Sequence, residues 1–280
     1  MEFGGVIARP LANRRPLWSR RDMLSRRPQA PALVAFGAWL ASRGAFAVAG
    51  IVLTGLLGLG AAIAATLSSR AGVAYLPEVS SSAIAWGGGV MMAFGASLRA
   101  LGRDREQGVQ ALVMARGATL ADYVRGRVLG LVLVLASVVG GSTLLACLSA
   151  IAVARGAGPV VAASVGSLAY ALAFSATLGP VAIAALGART RTGGYLSLLA
   201  VLVLPELLAR SGVTAHLLPP GWGELTSIPA ALSAVRVGVM HPVLLGAHAA
   251  RALAALAALV AVALLVVAGR ARQKDSDAPA

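Results

Sequence analysis

The chain alternates long apolar stretches with short polar ones that carry arginine. Apolar runs cover residues 44–67, 82–98, 128–154, 159–187, 195–209 and 252–269. A helix needs about 20 mostly apolar residues to cross a bilayer, and most of these runs reach that length. Hydrocarbon offers no partner to a free backbone amide, so each run is predicted as a helix. The fifth is short and is interrupted by Pro205-Glu206. Gly140-Gly141 and Gly179-Pro180 are expected to bend the two longest. The pattern predicts an all-α membrane protein with six transmembrane helices, read as one unit over residues 1–280. Residues 1–43 form a cytoplasmic N-terminus ending in an interfacial helix, 44–269 the six-span region, and 270–280 a cytoplasmic tail.

Two segments do not fit the span pattern. Residues 31–43, PALVAFGAWLASR, are too short to cross and are flanked by Arg26-Arg27 and Arg43. With Phe36 and Trp39 on an apolar body and Arg43 at the end, they read as a helix lying in the membrane surface. Residues 211–251 form a long outer segment between spans five and six, only moderately polar, with a short helix expected over 228–239. An apolar segment of that kind is expected to pack at the outer leaflet or dip into it.

Composition agrees with this reading. The chain is 58% hydrophobic and 12% charged, with a mean hydropathy of +0.83. Soluble domains carry about 25% charged residues. The net charge of +14 does not point to nucleic acid, because the arginines sit at the ends of apolar runs and not in a basic groove. They act as topology determinants and contacts for anionic lipid. With the first residues inside, segments 1–43, 99–127, 188–194 and 270–280 hold 8, 6, 2 and 3 lysines and arginines. The other side keeps Arg70, Arg155, Arg210, Arg236 and Arg251. Both termini are therefore predicted to be cytoplasmic. Residues 19–24, SRRDML, resemble a twin-arginine export signal, but the spans that follow make a plain positive anchor the better reading.

Catalytic and metal-binding patterns are sparse. Cys147 lies in an apolar run and reads as a small buried residue. None of the ten acidic residues sits in the middle of a firm span, and Glu206, at the outer end of span five, reads as a boundary residue reaching for water. His216, His241 and His248 fall in the outer segment, where no carboxylate or thiolate is spaced to complete a metal site. No phosphate-binding loop, zinc-protease helix or nucleophile elbow occurs. The sequence thus assigns no catalytic residue, no metal and no cofactor to this chain.

The most informative stretch is Arg103-Asp104-Arg105-Glu106-Gln107-Gly108-Val109-Gln110-Ala111-Leu112-Val113-Met114-Ala115-Arg116-Gly117, leading to Asp122-Tyr123-Val124-Arg125-Gly126-Arg127. Val109, Leu112, Val113 and Arg116 share one helical face by their i, i+3, i+4, i+7 spacing. Thr119 is placed to cap the helix of span three, with Asp122 at its third position. A charged amphipathic helix between two spans is an ordinary loop or a docking element for a partner.

This stretch resembles the permease of an ABC type-2 transporter. That family carries an acidic-basic-acidic-x-Gly signature after its second span, a Leu-rich helix and a basic start to span three. Asp104-Arg105-Glu106-Gln107-Gly108, Leu112, Tyr123 and Arg125-Gly126-Arg127 match it, while Val109 and Gly117-Ala118 stand where the family usually has Thr and Pro. The motif covers residues 103–127; the six spans, surface helix and long outer segment match as architecture. The resemblance implies an inner-membrane exporter subunit of bacterial type, without its own nucleotide site. A separate cytoplasmic ATPase would bind ATP-Mg and dock on Asp104, Arg105, Glu106, Gly108, Leu112 and Arg116. The surface helix with Phe36, Trp39 and Arg43 would relay its motion. A second permease copy or paralogue would complete the path, and an amphipathic or lipid-like molecule would be the cargo. A self-contained secondary carrier, a membrane scaffold and an intramembrane enzyme using His216, Glu224, His241 and His248 are the competing readings.

Overall fold

The computed structural model describes residues 30–68, 70–98, 100–155, 158–187, 191–219 and 221–273, with the side chains of residues 70, 71, 191, 215, 224 and 270–273 outside that description. The expectations for residues 1–29, the paired arginines among them, and for residues 274–280 lie outside the described residues. Helices make up nearly all of what is described, with no strand.

Leaving aside the short turns Arg70–Val73, Val213–Leu217 and Glu224–Thr226, in chain order they are α1 (Ala30–Ala41), α2 (Ala45–Leu67), α3 (Leu76–Ala83), a π-helical stretch (Ile84–Gly89), α4 (Val90–Ser97), α5 (Ala100–Glu106) and α6 (Val109–Ala115). Then come α7 (Leu120–Val153), α8 (Gly158–Leu186), α9 (Arg191–Arg210), α10 (Ile228–Met240) and α11 (Pro242–Gln273). Six helical stretches are long and apolar enough to cross a membrane: α2, Leu76–Glu106, α7, α8, Thr192–Arg210 and Pro242–Gly269. This is the construction of a multi-pass membrane protein. The apolar side chains left exposed bear it out: Val52, Leu56, Leu59 and Ile63 along α2, and Leu196, Leu199, Leu204 and Leu207 along α9. Such stripes face lipid, not water.

α8 is the hub. In its most apolar stretch 67% of residues are buried, against 11% in α9. It packs on α7, α10 and α11. Tyr170, Phe174, Leu178, Val181 and Ile183 of α8 join Leu131, Leu135 and Val139 of α7 and Leu232 and Val235 of α10 in the core. Gly140-Gly141 and Gly179-Pro180, expected to mark bends, lie within uninterrupted helices.

Small residues set the helix crossings. A Cβ at Gly37 of α1 would lie 2.2 Å from the Gly126 carbonyl of α7, and one at Gly130 would lie 2.4 Å from the Gly37 backbone. Backbone therefore meets backbone where α1 crosses α7, as small residues permit. The second span contains a π-turn, Ile84–Gly89, where Gly87-Gly88-Gly89 removes three side chains in a row. A Cβ at Gly88 would clash with Thr54 of α2, so this widened turn is also a close contact.

The last third of the chain departs from the sequence reading. Span six starts at Pro242, ten residues before the expected boundary, because proline at the first helical position starts the helix there, with the His241 carbonyl accepting from the Leu245 amide at 2.9 Å. His248 and Arg251, read as loop residues, are therefore helical. The outer segment shrinks accordingly, and its longest element is α10, close to the expected 228–239. α10 packs against both α8 and α11, so the segment folds back into the bundle. Arg236, read as an outer surface charge, is 4% exposed.

Candidate functional site

Two polar clusters stand out in the apolar bundle. The first is at the α5–α6 hairpin. α5 starts on α8: the Leu101 and Gly102 amides donate to the Gly187 carbonyl at 3.1 and 3.3 Å. The chain reverses at Gln107-Gly108, where Gly108 has φ +69°, a left-handed conformation that glycine adopts without strain. α6 follows, and a second left-handed glycine, Gly117, ends it.

Thr119 then caps α7 as its sequence position predicts. Its hydroxyl oxygen accepts from the Asp122 amide at 3.1 Å, and its own amide donates back to Asp122 at 3.3 Å. This reciprocal cap fixes where α7 begins and so places Tyr123 and Arg127 on its buried side.

Those two residues hold Asp104. The Tyr123 hydroxyl donates to the Asp104 carboxylate. Arg127 Nε lies 2.9 Å from the same oxygen, an ion-pair contact with both side chains about 5% exposed. Asp104 is thus turned inward and ties α5 to α7. Its neighbours in the signature behave differently: Arg105, Glu106, Leu112 and Arg116 are exposed, and Gly108 is half-buried. Helical geometry separates them, since only one side of a short helix of about two turns meets the bundle.

α1 closes the other side. Arg43 stacks its guanidinium 3.7 Å over the Trp39 ring, and Phe36 stacks on Trp39 at 6.0 Å. Between α1 and the hairpin lies a cleft of about 690 Å³, lined among others by Phe36, Trp39, Arg43, Asp104, Leu112 and Arg116. The fold therefore brings six of the nine sequence-predicted site residues to one cleft. Arg105, Glu106 and Gly108 do not line it.

The second cluster was not foreseen. Arg236 of α10 reaches into the bundle. Its NH1 donates to the Glu78 carbonyl at 2.7 Å and to the Ser81 hydroxyl at 3.4 Å, and its NH2 donates to the Ser82 hydroxyl at 3.1 Å. The guanidinium lies 4.3 Å over the Tyr170 ring. The Tyr170 hydroxyl in turn accepts from Trp86 Nε1 at 2.6 Å. The one signal in the sequence was a lone arginine in an otherwise apolar 13-residue helix, with no acidic residue beside it.

The remaining expectations resolve simply. Glu206 accepts from Arg210 at 2.8 Å and from the Ser227 hydroxyl, which also caps α10. It is a tether from α9 to α10 rather than a residue reaching only for water. His216 and His241 are exposed and His248 is half-buried. Among the described residues no three His, Cys, Asp or Glu side chains are grouped to hold a metal. Cys147 is buried.

Comparison with protein-family models, with curated proteins and with solved structures found no match to this chain. The functional reading therefore rests on residues 103–127 and the geometry they adopt.

Proposed function

We propose that this chain is the membrane-spanning permease subunit of an ATP-driven ABC exporter. The observation that carries the reading is the two-sided α5–α6 hairpin. One side is locked into the bundle, to α7 through Asp104 and to α8 through the Gly187 carbonyl. The other presents Arg105, Glu106, Leu112 and Arg116 to the outside, with Leu112 68% exposed. An exposed leucine flanked by charges offers a small apolar centre with a polar rim to a partner. A force applied there reaches the two central helices without passing through a flexible loop.

On this reading a separate cytoplasmic ATPase subunit binds ATP-Mg and docks on the hairpin. Its closure supplies the free energy, and this chain supplies the path. α1, in the membrane surface with Phe36, Trp39 and Arg43, forms the far wall of the cleft and moves with α7. Two permeases, identical or paralogous, line the route of an amphipathic or lipid-like cargo. The membrane is the inner membrane of a bacterial-type cell, with both termini in the cytoplasm.

One observation favours a second reading, a self-contained carrier. Such carriers need a buried ionisable residue deep in the bundle, and Arg236 is one. Reconstitution separates the two. Vesicles holding this chain alone are expected to move no amphipathic dye under an ion gradient, and to do so with ATP once the ATPase is added. Gradient-driven movement by the chain alone would establish the carrier instead.

A further inference from the structure

Arg236 is placed where a charge is costly. Its ring contact, Tyr170, stands twelve residues from the start of α8 and sixteen from its end. At 1.5 Å per residue that is about 18 Å from one helix end and about 24 Å from the other. The guanidinium is therefore near mid-length of α8, while along the second span it sits within two turns of the start, at Glu78, Ser81 and Ser82. Its nearest carboxylate, Glu78, is 4.0 Å away and 44% exposed, a weak counter-ion. The closer contacts are neutral, a carbonyl and two hydroxyls, and an aromatic face lies 4.3 Å away.

The cluster has spare hydrogen-bonding capacity. Arg236 Nε is buried without a hydrogen-bond partner among the described residues, and so are the hydroxyls of Ser164 and Ser167. Those serines flank Gly166, where α10 crosses α8 so closely that a Cβ would lie 2.9 Å from the Arg236 carbonyl. Phe174, one turn beyond Tyr170, packs edge-on against Trp86 at 5.5 Å and provides an apolar wall. A buried cation held mainly by neutral acceptors, with its own Nε unpartnered among the described residues and an aromatic wall beside it, is matched by an anionic oxygen group. Such a group would replace neutral acceptors with charge-assisted, forked hydrogen bonds.

We propose that Arg236 is the recognition point of an intramembrane site for an amphiphile with an anionic phosphate or carboxylate head and an apolar body. The proposal depends on the transport reading only for its purpose. The binding itself needs no ATPase, so its failure would leave the coupling account standing, and the reverse also holds.

Binding is read from Trp86, whose indole is bonded to Tyr170 inside the cluster. The full chain carrying Trp18→Phe, Trp39→Phe and Trp222→Phe is placed in phosphatidylcholine nanodiscs. Octyl phosphate tests a free amphiphile, phosphatidic acid in the disc tests a bilayer lipid, inorganic phosphate tests the head alone and octanol the tail alone. A saturable emission shift with octyl phosphate or with phosphatidic acid supports the site and identifies its source. Arg236→Gln is expected to weaken the binding about tenfold or more, and Arg236→Lys to keep it saturable. Glu78→Gln removes the competing carboxylate and is expected to tighten it about threefold, a change that misfolding would not produce. No shift with either amphiphile, an equal shift with octanol, or affinities unmoved by Arg236→Gln and Glu78→Gln would overturn the proposal.

Discussion

Asp104 and Arg127 meet at 2.9 Å with both side chains buried, joining the α5–α6 hairpin to the first turns of α7. Removing one partner of a buried pair leaves the other charge uncompensated, at a cost of about 3–5 kcal/mol. Asp104→Ala is therefore expected to lower the thermal midpoint of the detergent-solubilised protein by several degrees, and the double variant Asp104→Ala/Arg127→Met to recover part of the loss. Thermal unfolding of the wild type and the two variants checks this; a double variant no more stable than Asp104→Ala alone would remove the pair as the cause.

The docking of α1 on α7 depends on glycine backbones in contact. Gly37→Val puts a side chain where the Gly126 carbonyl lies 2.2 Å from a Cβ, and neither backbone has room to yield. Overpacking of this kind costs about 1–3 kcal/mol. The expected outcome is undocking of α1 alone. It would be seen as a red shift of Trp39 emission and faster proteolysis near residues 42–44, with the six spans still folded. Gly60→Val, at a position with open space, is the control and should change nothing.

The tether at the far end of α9 is separable from both. Ser227 accepts from the Ala230 amide at 3.3 Å as the cap of α10 and donates to Glu206. Ser227→Ala should cost about 1 kcal/mol through the lost cap. Ser227→Asp keeps the capping oxygen but sets two carboxylates together, so it should be no better than Ala. A melting series of the two variants tests the order.

These relationships differ in how far the sequence disclosed them. The spans were legible because each is a continuous apolar run whose composition alone decides its environment. The Thr119 cap was legible because both of its members lie within four residues. The start of α11 was missed because His248 and Arg251 look like loop residues, whereas Pro242 at the first helical position sets the boundary. Arg236 was unreadable for a different reason. Its partners, Glu78, Ser81, Ser82 and Tyr170, lie far away in the chain, and only the folding-back of α10 brings them together. Asp104 likewise looked like its charged neighbours until α7 supplied Tyr123 and Arg127. Charge signs along a membrane chain report loops well, but they do not report which charge is turned inward.

The central claim is that the outward side of the α5–α6 hairpin receives an ATPase. Leu112→Asp tests it most directly, because Leu112 is 68% exposed and its replacement leaves the bundle intact. The wild-type chain and Leu112→Asp are purified from solubilised native membrane, and the nucleotide hydrolysis that accompanies each is measured. The account predicts a co-purifying ATPase with the wild type and at least a tenfold loss of it with Leu112→Asp, the scale of an interface hot spot. A wild-type chain that purifies with no nucleotide-hydrolysing companion, or a companion indifferent to Leu112, would contradict it.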